Sequence, residues 1–184
     1  MPTLVAFLRA INVGGHTVTM ETLRREFEAI GLKDVETFIA SGNVVFKAPS
    51  DQVAALERKI EGRLLKSLGY EVATFIRTEL EVAAIARYKP FGDAQLRSAQ
   101  TLNVAFLAQP LAPASVTSLM TMRTSIDDFH VSGREMYWLC RKKQSESTFS
   151  NARFEKALGR RATFRGVKTI VKLAAKYSWS SEAS

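Results

Sequence analysis

The residues with most chemistry to offer follow one short apolar run. Val5-Ala6-Phe7-Leu8 ends in Arg9, and Asn12, Gly14, Gly15 and His16 come soon after, ahead of a helix pattern. Paired glycines before a helix leave backbone N–H groups open to an anion. A guanidinium and an asparagine amide add side-chain donors. The loop is neither a Walker loop, since no Gly-Lys-Ser/Thr follows, nor a dinucleotide fingerprint, which needs three glycines at fixed offsets. The plain alternative is a tight turn. Ser41-Gly42-Asn43 is a second polar cluster, read first as a hairpin turn and alternatively as placing Asn43 beside Asn12. Arg165 ends a short apolar run before the last helix, as Arg9 ends the first. Lys168, Lys172 and Lys176 recur at i, i+4 and i+8, so they line one helix face.

Other chemistries find less support. His16 and His130 lack a second ligand at metal spacing, so no metal site is expected. Cys140 lies in an apolar run and reads as a small core residue without a base beside it. Asp127 and Asp128 are neighbours in a strand pattern, so they face opposite sides and do not pair as acid and base. Catalytic residues stay unassigned and no cofactor is expected.

These residues need elements to hold them. Thr3 to Arg9 reads as a strand paired on both sides. Thr19 caps a helix carrying Met20, Leu23, Phe27 and Ile30, with Gly31 as its stop. Val35–Ala40 and Val44–Lys47 form a hairpin, and Val53, Leu56, Ile60 and Leu64 stripe a helix that Gly69 ends. Val72–Arg77 is a strand, and Thr78 with Glu81 forms a capping box for a helix through Tyr88. The order then repeats: strand Leu102–Leu107, helix from Pro113, hairpin about Ser132-Gly133-Arg134, a helix capped by Ser150 and ended by Gly159, strand Ala162–Arg165, and a last helix with Ile170, Leu173 and Ala174 inward. Ser178 to Ser184 reads as a frayed tail. The expected fold is α+β: two tandem ferredoxin-like (βαββαβ) units, each an antiparallel sheet with helices on one face. The expected boundaries are 1–90 for the first lobe, 91–100 for a linker and 101–178 for the second lobe.

Composition bounds the rest. The chain has 184 residues, long enough to bury a core without staples. One cysteine rules out an intrachain disulfide and fits a reducing cytoplasm. No apolar run approaches the roughly 20 residues a spanning helix needs, so no membrane partner is expected. The formal net charge of +8 suits a polyanionic or phosphorylated partner, though basic side chains also simply coat solvated surfaces. RNA-recognition modules share the βαββαβ order and stack bases on central-strand aromatics. Here those strands carry Phe7 and Phe46, then Phe106, Tyr137 and Trp138, but the basic-aromatic signature run is absent.

Four stretches together resemble one family. Leu8-Arg9-Ala10-Ile11-Asn12-Val13-Gly14-Gly15, Ser41-Gly42-Asn43-Val44-Val45-Phe46, Pro90-Phe91 and Gly133-Arg134-Glu135 fall in the order and spacing of the domain-of-unknown-function family 1697. The resemblance runs from Thr3 to about Tyr177. It implies two ferredoxin-like lobes in a bacterial cytosolic protein, and no established activity. Two departures stand out. The family usually has glycine where this chain has Ala10, and Thr-Arg-Asn-Trp-Asn-Thr where this chain has Phe164-Arg165-Gly166-Val167-Lys168-Thr169.

The reading that follows is a non-catalytic binding protein for an anionic ligand, either nucleic acid or a phosphorylated small molecule. Arg9, Asn12, Gly14, Gly15, Asn43 and Arg165 would form its site, with Lys168, Lys172 and Lys176 as an electrostatic fringe. The alternatives are a small enzyme acting on a phosphorylated or carboxylated metabolite and a protein-interaction module. A monomer or weak dimer is expected.

Overall fold

The run Thr3–Leu8 is apolar on both sides because both sides of its strand are buried. A computed structural model describes residues 1–12 and 14–179 of the chain. In it β1 (Thr3–Leu8) is followed by α1 (Met20–Ala29), β2 (Lys33–Phe38), β3 (Ala40–Lys47), α2 (Val53–Leu68), β4 (Thr74–Thr78) and α3 (Glu79–Arg87). The first sheet is antiparallel with strand order β2-β3-β1-β4. Leu4, Ala6 and Leu8 pack with Leu23 and Phe27 of α1 and Leu56, Ile60 and Leu64 of α2. Val5 and Phe7 alternate to the opposite face, where Val45 and Phe75 are their register partners. All four are buried, which explains an unbroken apolar run where a half-exposed strand would alternate.

The second sheet repeats the plan. After α4 (Asp93–Ser98) come β5 (Thr101–Phe106), α5 (Pro113–Met120), β6 (Asp127–Ser132), β7 (Glu135–Cys140), α6 (Asn151–Leu158), β8 (Thr163–Gly166) and α7 (Val167–Lys176). Its antiparallel strand order is β6-β7-β5-β8. Leu107, Met136, Trp138 and Cys140 pack with Leu119 of α5 and Phe154 of α6. Val5-Ala6-Phe7-Leu8 recurs in the sequence as Val104-Ala105-Phe106-Leu107. The chain divides into two compact units: Met1–Ala86 with the segment from Val171 onward, and Arg87–Ile170.

Local chemistry sets the element ends. Thr19 accepts from the Thr22 N–H at 3.1 Å and starts α1. Gly69 closes α2 at φ 82° and Gly159 closes α6 at φ 62°. Thr78 and Glu81 cap each other's backbone at 2.8 and 3.1 Å at the entry to α3.

Two local features differ from the sequence reading. The stretch 91–100 holds the helix α4, which has no buried residue and hence no apolar stripe to announce it. The β2–β3 turn sits at Ile39, with Phe38 paired to Ala40 and a register shift behind it, so Ser41-Gly42-Asn43 falls within β3. Ile39 has φ 61° and is exposed, a conformation a β-branched residue adopts only under strain. The tail expected from Ser178 is described only as far as Trp179; Val13 and residues 180–184 lie outside the described residues, as do the side chains of Ala40 and Ser41.

Candidate functional site

One end of the first sheet gathers the β1–α1 loop, the β2–β3 turn and the α2–β4 connection, because Phe7 pairs with Asn43 and Leu8 pairs with Thr74. The β1–α1 loop is tied at its base. The Arg9 N–H donates to the Ala73 carbonyl at 2.9 Å. The Tyr70 hydroxyl donates to the Ile11 carbonyl at 2.8 Å, and burial raises the pKa of that hydroxyl. The Val18 N–H donates to Asn12 Oδ1 at 2.7 Å, closing the loop on itself. Ile11 and Val18 are buried and anchor its two limbs. The His16 ring stacks on Tyr70 with centroids 4.0 Å apart.

Above this base the loop is open. Gly14 and Gly15 are exposed at φ 63° and 83°, and a Cβ built on either would meet no atom within 4 Å. Two successive left-handed residues require glycine, and the missing side chains leave the backbone approachable. Ala10, in the same loop, is also left-handed at φ 53°, which accounts for glycine at that position in the resembling family. The α1 N-terminus is partly spoken for, since Thr19 takes the Thr22 N–H and Glu21 sits in the first turn. An anion would therefore find its donors on the glycine loop.

The remaining site residues fall differently. Asn43 is 2% exposed and donates through Nδ2 to the Phe38 carbonyl at 3.1 Å, so it holds the hairpin. Arg165 lies in the second unit, whereas Arg9, Asn12, Gly14, Gly15 and Asn43 lie in the first. Its counterpart is not Arg9. Arg165 pairs with Val104 as Arg77 pairs with Val5, within the repeated tetrapeptide. Both arginines donate from Nη1 to the carbonyl of the preceding residue, Ile76 at 2.9 Å and Phe164 at 2.8 Å. Desolvation lowers the Arg165 pKa to about 10. Arg77 is fully buried, and only the strand register reveals its relation to Arg165. Lys168 and Lys172 are exposed, while Lys176 reaches Glu36 at 3.8 Å and lies over the Phe38 ring.

Groups outside the loop show what they are used for. Asp127 is buried and accepts from Trp138 Nε1, Ser147 Oγ and Thr124 Oγ1, each at 2.8 Å, and so fastens three segments of the second unit. Cys140 is buried, and desolvation pushes its thiol pKa up, away from a nucleophilic thiolate. His130 and the Tyr88 hydroxyl lie 2.6 Å apart, a pair the sequence reading missed because 42 positions separate them. Phe7, Phe106 and Tyr137 are buried, so they offer no platform for stacked bases. Among the described residues no group of His, Cys, Asp or Glu is placed to hold a metal ion, and no helix is long and apolar enough to cross a membrane.

Comparison with known proteins places this geometry. The family model described as "Protein of unknown function (DUF1697)" matches residues 1–137. The match ends before Arg165 and the run in which the chain departs from the expected Asn-Trp-Asn. No curated protein matches the chain. Among solved structures, the conserved bacterial protein SP0830 from Streptococcus pneumoniae is similar, with 21% sequence identity and a TM-score of 0.70 over 97% of this chain and 99% of that one. At that identity the likeness establishes the fold alone.

Proposed function

Since the chain belongs to the DUF1697 family, whose description names no activity, we propose from the loop geometry that it is a non-catalytic binding protein for an anionic small molecule. Each unit is read as ferredoxin-like, from its βαββαβ order and its strand order. The ligand is phosphorylated and sits at the β1–α1 loop of the first unit. One observation carries this reading: Gly14 and Gly15 present open backbone on a loop whose base is already fixed. A fixed base lowers the ordering cost of binding. Arg9, at the root of the loop, supplies positive charge, Asn12 and Tyr70 keep the loop in shape, and Asn43 holds the adjoining hairpin. A bacterial cytosolic location goes with this reading, given the single buried cysteine.

The test is a thermal-shift screen with inorganic phosphate and phosphorylated metabolites, followed by isothermal titration of the best. The wild-type chain should gain stability with at least one phosphorylated compound. Asn12→Ala and the double variant Gly14→Ala/Gly15→Ala should lose that gain. If no phosphorylated compound stabilises the wild-type chain, or if the loop variants respond as it does, the reading is wrong.

A further inference from the structure

The net charge of the chain is confined to one unit. Residues 87–170 hold fourteen lysines and arginines against six aspartates and glutamates, an excess of eight. The rest of the chain holds twelve of each and is neutral.

The six acids of the second unit are already counted in that excess, and most are held by partners within the unit. Asp127 is sealed among Trp138, Ser147 and Thr124. Glu155 accepts the Ala162 N–H, Glu146 the Lys143 N–H, and Asp128 the Phe129 N–H. Asp93, the first residue of α4, pairs with the exposed Lys89 of the preceding loop at 3.6 Å. Meanwhile Arg97, Lys142, Lys143 and Lys156 are exposed and have no ion-pair partner among the described residues. Internal ties bring their segments together. Arg141 Nε donates to Ser98 Oγ at 3.1 Å, joining the residues beside Lys142 and Arg97. Arg153 Nη1 donates to Thr148 Oγ1 at 3.1 Å, joining α6 to the loop that follows Lys143.

We infer that the second unit docks on the phosphate backbone of duplex nucleic acid through this cationic surface. A duplex carries one charge per about 1.7 Å of its axis, so it can meet cations spread over several elements at once. Single-strand recognition would want a row of exposed aromatics, but on the strands Phe106 and Tyr137 are buried, and Tyr88 alone does not make such a row. A lipid surface would want an apolar wedge beside the charge. Among the described residues, the exposed large apolar side chains Met1, Met20, Ile39, Leu65, Leu80 and Val171 lie in the neutral unit, and Tyr88 is the one of that kind in the basic unit. Binding of this kind reads phosphate and not sequence. The inference is independent of the glycine loop, which lies in the other unit.

The experiment compares three full-length proteins by fluorescence anisotropy with a labelled duplex. One is the wild type. One carries Arg97→Gln, Lys142→Gln, Lys143→Gln and Lys156→Gln. The control carries Arg24→Gln, Arg58→Gln, Lys59→Gln and Lys66→Gln, four exposed cations of the neutral unit. Both variants lose the same total charge, so they differ only in where it is lost. The wild type should bind at about 50 mM salt and weaken by several orders of magnitude by about 200 mM if six or more phosphates are contacted. The second-unit variant should bind at least about tenfold more weakly, with a log–log salt slope shallower by about 3 to 4. The control should keep the wild-type slope. Unchanged thermal midpoints show that both variants fold. No binding at low salt, equal weakening of the two variants, or capture by anionic vesicles or an acidic peptide in place of the duplex would each overturn the inference. The second-unit variant should still respond to whatever phosphorylated compound stabilises the wild type, so failure here and failure of the loop reading are separable.

Discussion

The two units share a plan and differ in how they finish it. In the first, the outer edge of β4 is closed by carboxylates of α2: Glu61 accepts the Thr74 N–H and Glu57 the Ile76 N–H, both at 2.9 Å. In the second, Glu155 of α6 accepts the Ala162 N–H at 2.9 Å, matching Glu61. The position of Glu57, one turn earlier, is held by Asn151, whose Nδ2 turns to the Ala162 carbonyl and whose Oδ1 is buried without a partner. The strand interiors differ in the same sense. Leu4 packs in the first core, whereas its counterpart Asn103 is buried with Nδ2 unpaired. The first unit is thus neutral and fully capped along this edge, and it carries its openness in one glycine loop. The second is basic and leaves polar atoms unsatisfied inside. Edges left open invite pairing with other chains, so the closed β4 edge also protects the first unit.

The largest expected effect comes from the fastening carboxylate of the second unit. Asp127→Ala should cost about 3 kcal/mol, because the buried Trp138 indole N–H and two flanking hydroxyls lose their acceptor at once. Urea denaturation of the full chain measures it, and a loss below about 1 kcal/mol would mean that solvent replaces the carboxylate. Next, Glu57→Ala in the first unit should cost about 2 kcal/mol by stripping the acceptor from the Ile76 N–H. Asn151→Ala should cost clearly less, and equal losses would erase the contrast between the two edges. Asn103→Leu, which writes the first unit's residue into the second, should stabilise by about 1 kcal/mol and raise Tm by a few degrees. A loss would mean that Asn103 is held for a purpose the first unit lacks. Ala10→Gly should stabilise by up to about 1 kcal/mol by relieving the left-handed alanine.

The smallest effect is a pH dependence. The Tyr177 hydroxyl donates to Glu36 at 2.5 Å, and desolvation, then that hydrogen bond, then the charge of Glu36 raise its pKa above the ordinary 10.0. The folded chain keeps this proton where the unfolded chain gives it up. The contribution is therefore intact below about pH 10 and is lost as pH rises through the folded pKa. Thermal midpoints measured upward from pH 9 should fall more steeply in the wild type than in Tyr177→Phe. Parallel curves would contradict the link.

Much of this architecture is legible in the sequence, and the exceptions have physical causes. Caps and stops at Thr19, Gly69, Thr78, Ser150 and Gly159 are local chemistry and read directly. The apex at Ile39 does not, because no propensity rule places a β-branched residue in a left-handed turn. The pairing of Arg77 with Val5 and of Arg165 with Val104 depends on which strands become neighbours, a tertiary fact that made Arg9 look like the counterpart of Arg165. The tie from Tyr70 to Ile11 spans 59 positions, so the fixed base of the loop has no local signature. The glycine pair itself was plain. The charge asymmetry was present in the letters but needed the unit boundary at residues 86 and 87 to become visible.

The claim at the centre is that the β1–α1 loop of the first unit receives a phosphorylated ligand on its backbone. Amide proton–nitrogen correlation spectra, recorded while a stabilising phosphorylated compound is titrated in, test it residue by residue. The account predicts that the Gly14 and Gly15 amides shift first and saturate together, with β4 and β8 amides unmoved. Shifts that spare both glycines, or that centre on the second unit, would contradict it.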